Sequence, residues 1–228
     1  MSGQLILDLP VRSALGRDDF YVTPANAPAV AAIDGWREWP TGRMLLTGPQ
    51  GSGKTHLAAI WAAGAGAVTV QGCGLAAQDI PAIAAAGAVV VDDAEDVAGN
   101  ALDETALFHL MNLCAQSGTA LMLTSTRLPR DWQVTLPDLA SRVQAASLAR
   151  LDAPDDALLS AVLVKLFADR QVQVDPSLIT YLTTRMDRSL ATASRLVDRL
   201  DKLALQRRKP ISRSLAAEVL DLDEREGA

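Results

Sequence analysis

The chain has 228 residues, with 21 Lys and Arg against 27 Asp and Glu for a formal net charge of -6, and it is 49% apolar but only 4% aromatic. That length suits one α/β domain with a small appendage, and an apolar, aromatic-poor composition favours helices packed on a sheet over a β-sandwich. The acidic balance excludes a protein whose main work is gripping duplex DNA by its phosphates; the basic stretch Arg207, Arg208 and Lys209 reads as a solvated helix end.

In chain order, residues 1–19 form an N-terminal segment in which Gln4-Leu5-Ile6-Leu7-Asp8-Leu9 has spaced apolar anchors behind a glutamine, the pattern of an extended peptide that fills a groove. Met44 to Thr47 is a short apolar strand, followed by the Gly-rich stretch 48–55 and a helix over 55–63. Further strands are predicted at 67–70, 88–92, 120–124 and, weakly, 146–148, with a helix over 103–116 between two of them. Alternating elements predict an α/β fold with a parallel five-stranded sheet and crossover helices over residues 20–150.

After Arg150 the strand signals stop, and residues 151–228 are predicted as a small all-helical lid domain. Leu158, Leu159, Val162, Leu163, Leu166 and Phe167 share one helical face behind Asp155 and Asp156. Asp175 and Pro176 read as a helix cap followed by proline in the first turn, residues 189–207 as a third helix, and 212 or 214 to 220 as a fourth. Cys73 and Cys114 form no metal or disulfide spacing, and neither a signal peptide nor a membrane-spanning run is present, so a cytoplasmic protein is expected.

Gly48-Pro49-Gln50-Gly51-Ser52-Gly53-Lys54-Thr55 fits G-x-x-x-x-G-K-[ST] between a strand and a helix. Gly48, Gln50, Gly51, Ser52 and Gly53 would wrap backbone N–H groups round the phosphates of ATP or ADP, Lys54 would reach the β- and γ-phosphates, and Thr55 would give its hydroxyl to Mg²⁺, with His56 behind the loop. Ala88 to Asp92 is a strand that delivers two carboxylates to the same edge: Asp92 to hold Mg²⁺ and Asp93 to orient or deprotonate water. Leu121 to Thr126 ends likewise in polar residues, so Thr126 or Ser125 is placed to touch the γ-phosphate or its attacking water, while Arg127 reads as a surface partner.

These residues, with "DFYVTPANAPAVAA", "GKTHLAA", "ALFHLMN", "LTSTRLPRDW" and "LPDLASRV" in order, resemble the AAA+ domain of the DnaA family, and most of all its short Hda-type members. The resemblance implies that Phe20 to Asn26 frames the adenine, with Tyr21, Val22 and Asn26 as contacts. It implies that Arg142 is an arginine finger offered to a neighbour's nucleotide, where a guanidinium offsets transition-state charge. It also implies that Gln4–Leu9 docks on the DNA polymerase sliding clamp. The family's lid arginine corresponds to Ala191 here, so Arg195, or Arg188 a turn earlier, is the candidate replacement, and hydrolysis in the chain's own site is expected to be weak.

The function expected is a nucleotide-binding regulator of chromosomal replication initiation: held by the clamp, it promotes ATP hydrolysis on DnaA and so acts negatively. The alternative is an autonomous AAA+ ATPase acting as a helicase-loader-like or delivery adaptor. No helix-turn-helix follows the lid, so no direct sequence-specific DNA binding is expected; no membrane contact is expected, and a homo-oligomer stays open.

Overall fold

The computed structural model describes residues 20–226; the clamp-peptide expectation at Gln4–Leu9 lies outside them. Five parallel strands form one sheet: β1 (Arg43–Thr47), β2 (Val68–Gln71), β3 (Ala88–Asp92), β4 (Ala120–Ser125) and β5 (Ser147–Arg150), in the order β2-β3-β4-β1-β5. The parallel register sets Arg43 beside Leu121 and Thr47 beside Ser125, so the polar ends of these strands lie along one edge. Strand β3 is buried at all five positions, as its run of valines predicts, whereas β2 at the sheet margin is mostly exposed.

Helices α1 (Ala27–Asp34) and α2 (Lys54–Ala65) cover one face through Val30, Ile33, Leu57 and Trp61, packed on Leu46, Val90 and Met122. The other face is covered by α3 (Ile80–Ala84), α4 (Ala101–Ser117) and α5 (Pro137–Gln144), with Leu107, Leu110, Met111, Leu139 and Trp132 on Leu45, Val89, Val91 and Leu123. This three-layer arrangement is the α/β fold expected from the alternating elements.

Helices α6 (Asp156–Asp169), α7 (Pro176–Thr183), α8 (Leu190–Arg207) and α9 (Arg213–Glu226) share a core of their own, around Leu163, Phe167, Leu182, Leu196 and Leu200. Asp155, Asp175 and Ser189 each accept a hydrogen bond from a first-turn N–H of α6, α7 and α8, which fixes where these helices start. The predicted elements differ from the observed ones in places. The fifth strand lies at 147–150, two residues beyond the expected end, because pairing with Met44 to Thr47 extends it through Arg150. None of the helices among the described residues is long and apolar enough to cross a membrane.

Candidate nucleotide site

Strand β1 enters the Gly-rich loop at the sheet edge, where Gly48 N–H donates to the Ser125 carbonyl at 3.2 Å and Leu151 N–H to the Thr47 carbonyl at 2.7 Å. Helix α2 begins at Lys54, after Gly53. The Lys54 ammonium is buried and donates to the carbonyls of Gly48 at 2.8 Å and Pro49 at 3.0 Å, curling the loop round itself. Burial pulls its pKa below the ordinary lysine value, against the upward pull of Glu95, Asp93 and Asp92. Ser52 is also buried, and its hydroxyl has no hydrogen-bond partner among the described residues. A buried cation, an unused hydroxyl and a helix N-terminus converging on one loop fit an anionic group such as a nucleotide phosphate.

Two strands supply the acids and hydroxyls facing this loop. Buried Asp92 accepts from the Thr124 hydroxyl at 2.5 Å and from the Thr55 hydroxyl at 3.3 Å through the same oxygen, Oδ1. Its second oxygen leaves a hard-oxygen donor set with Thr55 that suits Mg²⁺ once phosphate oxygens complete it. Asp93 sits in the left-handed region at φ 47°, its N–H donating to Thr124 at 2.9 Å. Its carboxyl is pushed up by burial and by Asp92, Glu95 and Asp96, against the downward pull of Lys54. A side chain at Gly72 would meet the Asp93 carbonyl at 2.4 Å, so the turn of β2 past this residue requires glycine there.

Thr126 is held by a residue that the motifs pass over. Its N–H and its hydroxyl both donate to Glu95 Oε1, at 2.5 Å and 2.7 Å. Glu95 is only 6% exposed, three residues beyond Asp92 in the 3₁₀ turn that Asp93 opens. In the sequence it is one of four acids in "DDAEDVAG", and nothing local singles it out.

The segment expected to frame the base lies against the loop. Phe20 packs edge-on to His56 at 5.5 Å, and its ring lies 3.8 Å from where a side chain at Gly53 would stand. Buried Asn26 closes the turn: its Oδ1 accepts from Thr23 N–H at 2.8 Å and its Nδ2 donates to the Tyr21 carbonyl at 2.9 Å, leaving Tyr21 and Val22 exposed. Gln50, at the loop's rim, is exposed.

The lid reaches the loop by its backbone. Leu190 N–H, the first of α8, donates to the Gly51 carbonyl at 2.8 Å. Gly51 lies at φ 74°, and a Cβ there would stand 2.0 Å from the Ser189 hydroxyl, so glycine is needed for this approach. Arg195 is exposed and bonds Thr192 at 3.1 Å, while Arg188 bonds the Pro154 carbonyl at 3.3 Å and pairs with Asp156 at 2.7 Å. Neither of these described contacts involves the loop.

Arg142 lies elsewhere. It is in the last turn of α5, and two residues after that helix ends the chain enters β5 beside Met44 at the amino end of β1. Its guanidinium stands 5.2 Å from the centre of the Phe108 ring. Burial and the like charge of Arg142 together hold the Arg43 pKa down, so the two cations are neighbours at the sheet end opposite the Gly-rich loop.

No family model matches the sequence. Among solved structures, domain III of the replication initiation protein DnaA from Thermotoga maritima is similar at a TM-score of 0.80 and 18% identity, over 93% of this chain and 98% of that one. DnaA from Aquifex aeolicus bound to AMPPCP is similar at a TM-score of 0.67 and 16% identity, over 82% of this chain and 63% of that one. A replication initiator DnaA bound to AMPPCP and single-stranded DNA gives 0.69 and 14%, over 84% and 67%. The chain has the fold of the DnaA AAA+ domain.

Proposed function

We propose that this protein is a nucleotide-binding regulator of replication initiation that offers Arg142 to ATP held by a DnaA-type initiator. The observation that carries the reading is the separation of the two sites: Arg142 stands against Phe108 and beside Arg43, at the sheet end away from the chain's own Gly-rich loop. A guanidinium so placed serves another molecule's phosphates better than its own.

In its own pocket, Lys54 and the loop N–H groups hold the phosphates of ADP or ATP, Thr55 and Asp92 hold Mg²⁺, and Tyr21, Val22 and Asn26 border the base. The bound metal supplies charge neutralisation to the phosphates. The resemblance of the motifs to the Hda-type proteins, and the AMPPCP held in two DnaA structures of the same fold, support this reading. Gln4–Leu9 is the proposed tether to the sliding clamp, which would concentrate the regulator where replication has begun.

The test is a reconstituted mixture of the initiator loaded with ATP, clamp on DNA, and this protein with or without residues 1–9. Arg142→Ala is expected to bind ADP like the parent yet to lose on the order of 10³-fold of the stimulated hydrolysis. Stimulation equal to the parent's would refute the role of Arg142. Stimulation that needs the parent's own ATP turnover, and no initiator, would instead favour the autonomous ATPase.

A further inference from the structure

Arg43 opens β1 half-buried, ahead of four buried residues. Strand alternation puts its side chain on the face of Leu45, where α4 and α5 pack. Its Nε and Nη1 are buried there with no hydrogen-bond partner among the described residues. The groups acting on its charge are Arg142 in α5 and Cys114 in α4, and neither offsets it. Arg142 is a like charge, and burial pushes the Cys114 thiol up to about 11, so that thiol is neutral at pH 7. A guanidinium enclosed beside a second one, with no carboxylate acting on it among the described residues, destabilises the free chain. A charge kept at that cost, at the end of the sheet where Arg142 stands, points to an anion brought by another molecule.

We propose that Arg43 is a positioning residue for Arg142: its buried guanidinium adds a second, fixed charge to the seat that takes the terminal phosphate of a nucleoside triphosphate held by another molecule. This rests on the role proposed above for Arg142. Arg142 is part-exposed and rests against the Phe108 ring, whose centre is 5.2 Å away, so it is the member of the pair that can meet a phosphate. Arg43 acts through it, because its own Nε and Nη1 are enclosed between the strand and two helices. The phosphate is anionic before and during transfer, so a fixed charge behind Arg142 strengthens docking of the loaded partner in ground state and transition state alike. The part of the stabilisation that grows during the reaction belongs to Arg142, which touches the phosphate. Arg43 therefore acts on the capture of the partner, and Arg142 on the rate once it is captured.

The test compares the full chain with Arg43→Met, Arg43→Lys and Arg142→Ala, each kept in saturating ADP so that its own loop is filled. Methionine keeps the unbranched stem and removes the charge, and lysine keeps the charge. Stimulated hydrolysis is titrated against the ATP-loaded initiator, with clamp on DNA, at low and at moderate salt. Arg43→Met is expected to raise the concentration for half-maximal stimulation by about 10-fold, with kcat within about twofold of the parent's. That gap is expected to shrink as salt rises, and Arg43→Lys is expected to restore most of it. Urea unfolding supplies a readout that a merely structural role would move the other way: Arg43→Met is expected to be at least as stable as the parent. Inorganic tripolyphosphate is expected to stabilise the parent and Arg43→Lys more than Arg43→Met or Arg142→Ala.

Stimulation lost in Arg142→Ala but untouched in Arg43→Met overturns this proposal alone. So does a lysine variant no better than the methionine one, an Arg43→Met chain less stable than the parent, or equal stabilisation of the two by tripolyphosphate. Absence of stimulation by the parent, or stimulation that Arg142→Ala retains in full, would sink the regulator reading itself.

Discussion

Glu104 decides where α5, and hence Arg142, begins. Its side chain is 1% exposed and accepts from Gly99 N–H at 3.2 Å, Thr135 N–H at 2.9 Å, the Thr135 hydroxyl at 2.8 Å and Leu136 N–H at 2.9 Å. Burial pushes its carboxyl up, but the hydrogen bonds from Thr135, Leu136 and Gly99 outweigh that and leave the pKa below the ordinary glutamate value. In Glu104→Gln the amide oxygen can keep the three donors on the Oε2 side. The amide nitrogen then faces Gly99 N–H, donor against donor. One charge-assisted bond is lost and three become neutral, a cost of about 2–4 kcal/mol at pH 7.

The sign of the pH dependence follows from the lowered pKa. The contribution of Glu104 is fully present above the unfolded glutamate value and is lost as pH falls through the folded one. Urea unfolding of parent and variant at pH 7 and in steps down through the glutamate range is therefore expected to show a gap that closes with acid. A gap independent of pH, or a variant as stable as the parent at pH 7, would refute the account of Glu104 as a charged anchor.

Leu190→Pro removes the N–H given to Gly51 at a position where proline suits the first helical turn, while Leu190→Ala keeps it. The proline variant alone is expected to show faster proteolysis near residues 151–155 and a smaller stabilisation by ADP; equal behaviour of the two would mean that the backbone bond does not hold the lid. Asn26→Ala leaves Thr23 N–H without its acceptor, and a loss of about 1–2 kcal/mol of stability is expected. Its affinity for ADP is expected to fall severalfold while that for pyrophosphate, which lacks a base, stays unchanged, and parallel losses would remove the segment from the base site.

Strand, loop and helix around Lys54 were legible because their signals are local: an apolar run, glycines at fixed spacing, then helical periodicity. The lid helices were legible for the same reason, since Asp175, Pro176 and Ser189 announce their own starts. Helix α1 went unpredicted although Asn26 and Pro28 bracket its first turn. Glu95 and Glu104 were not legible as anchors. Each bonds residues 31 positions away, so on the sequence Glu104 is an ordinary first-turn acid and Glu95 one of several acids after a strand. The lid contact escaped notice because it runs through a peptide carbonyl and an N–H, and no side-chain pattern reports it.

The opposition of Arg142 and the Gly-rich loop gives the molecule a front and a back. Strand β1, which runs from the Arg142 end of the sheet to the loop, is only about 13 Å long, four steps of an extended chain. Any contact that pairs Arg142 of one molecule with the phosphate loop of another joins unlike surfaces, and such contacts do not close as a two-fold dimer. Each addition then leaves one surface of each kind unfilled, so a row of these domains grows with a direction. A row has two different ends, and a molecule that binds with its Arg142 side inward presents its own loop outward, which makes the nucleotide in that loop the feature that any next arrival meets.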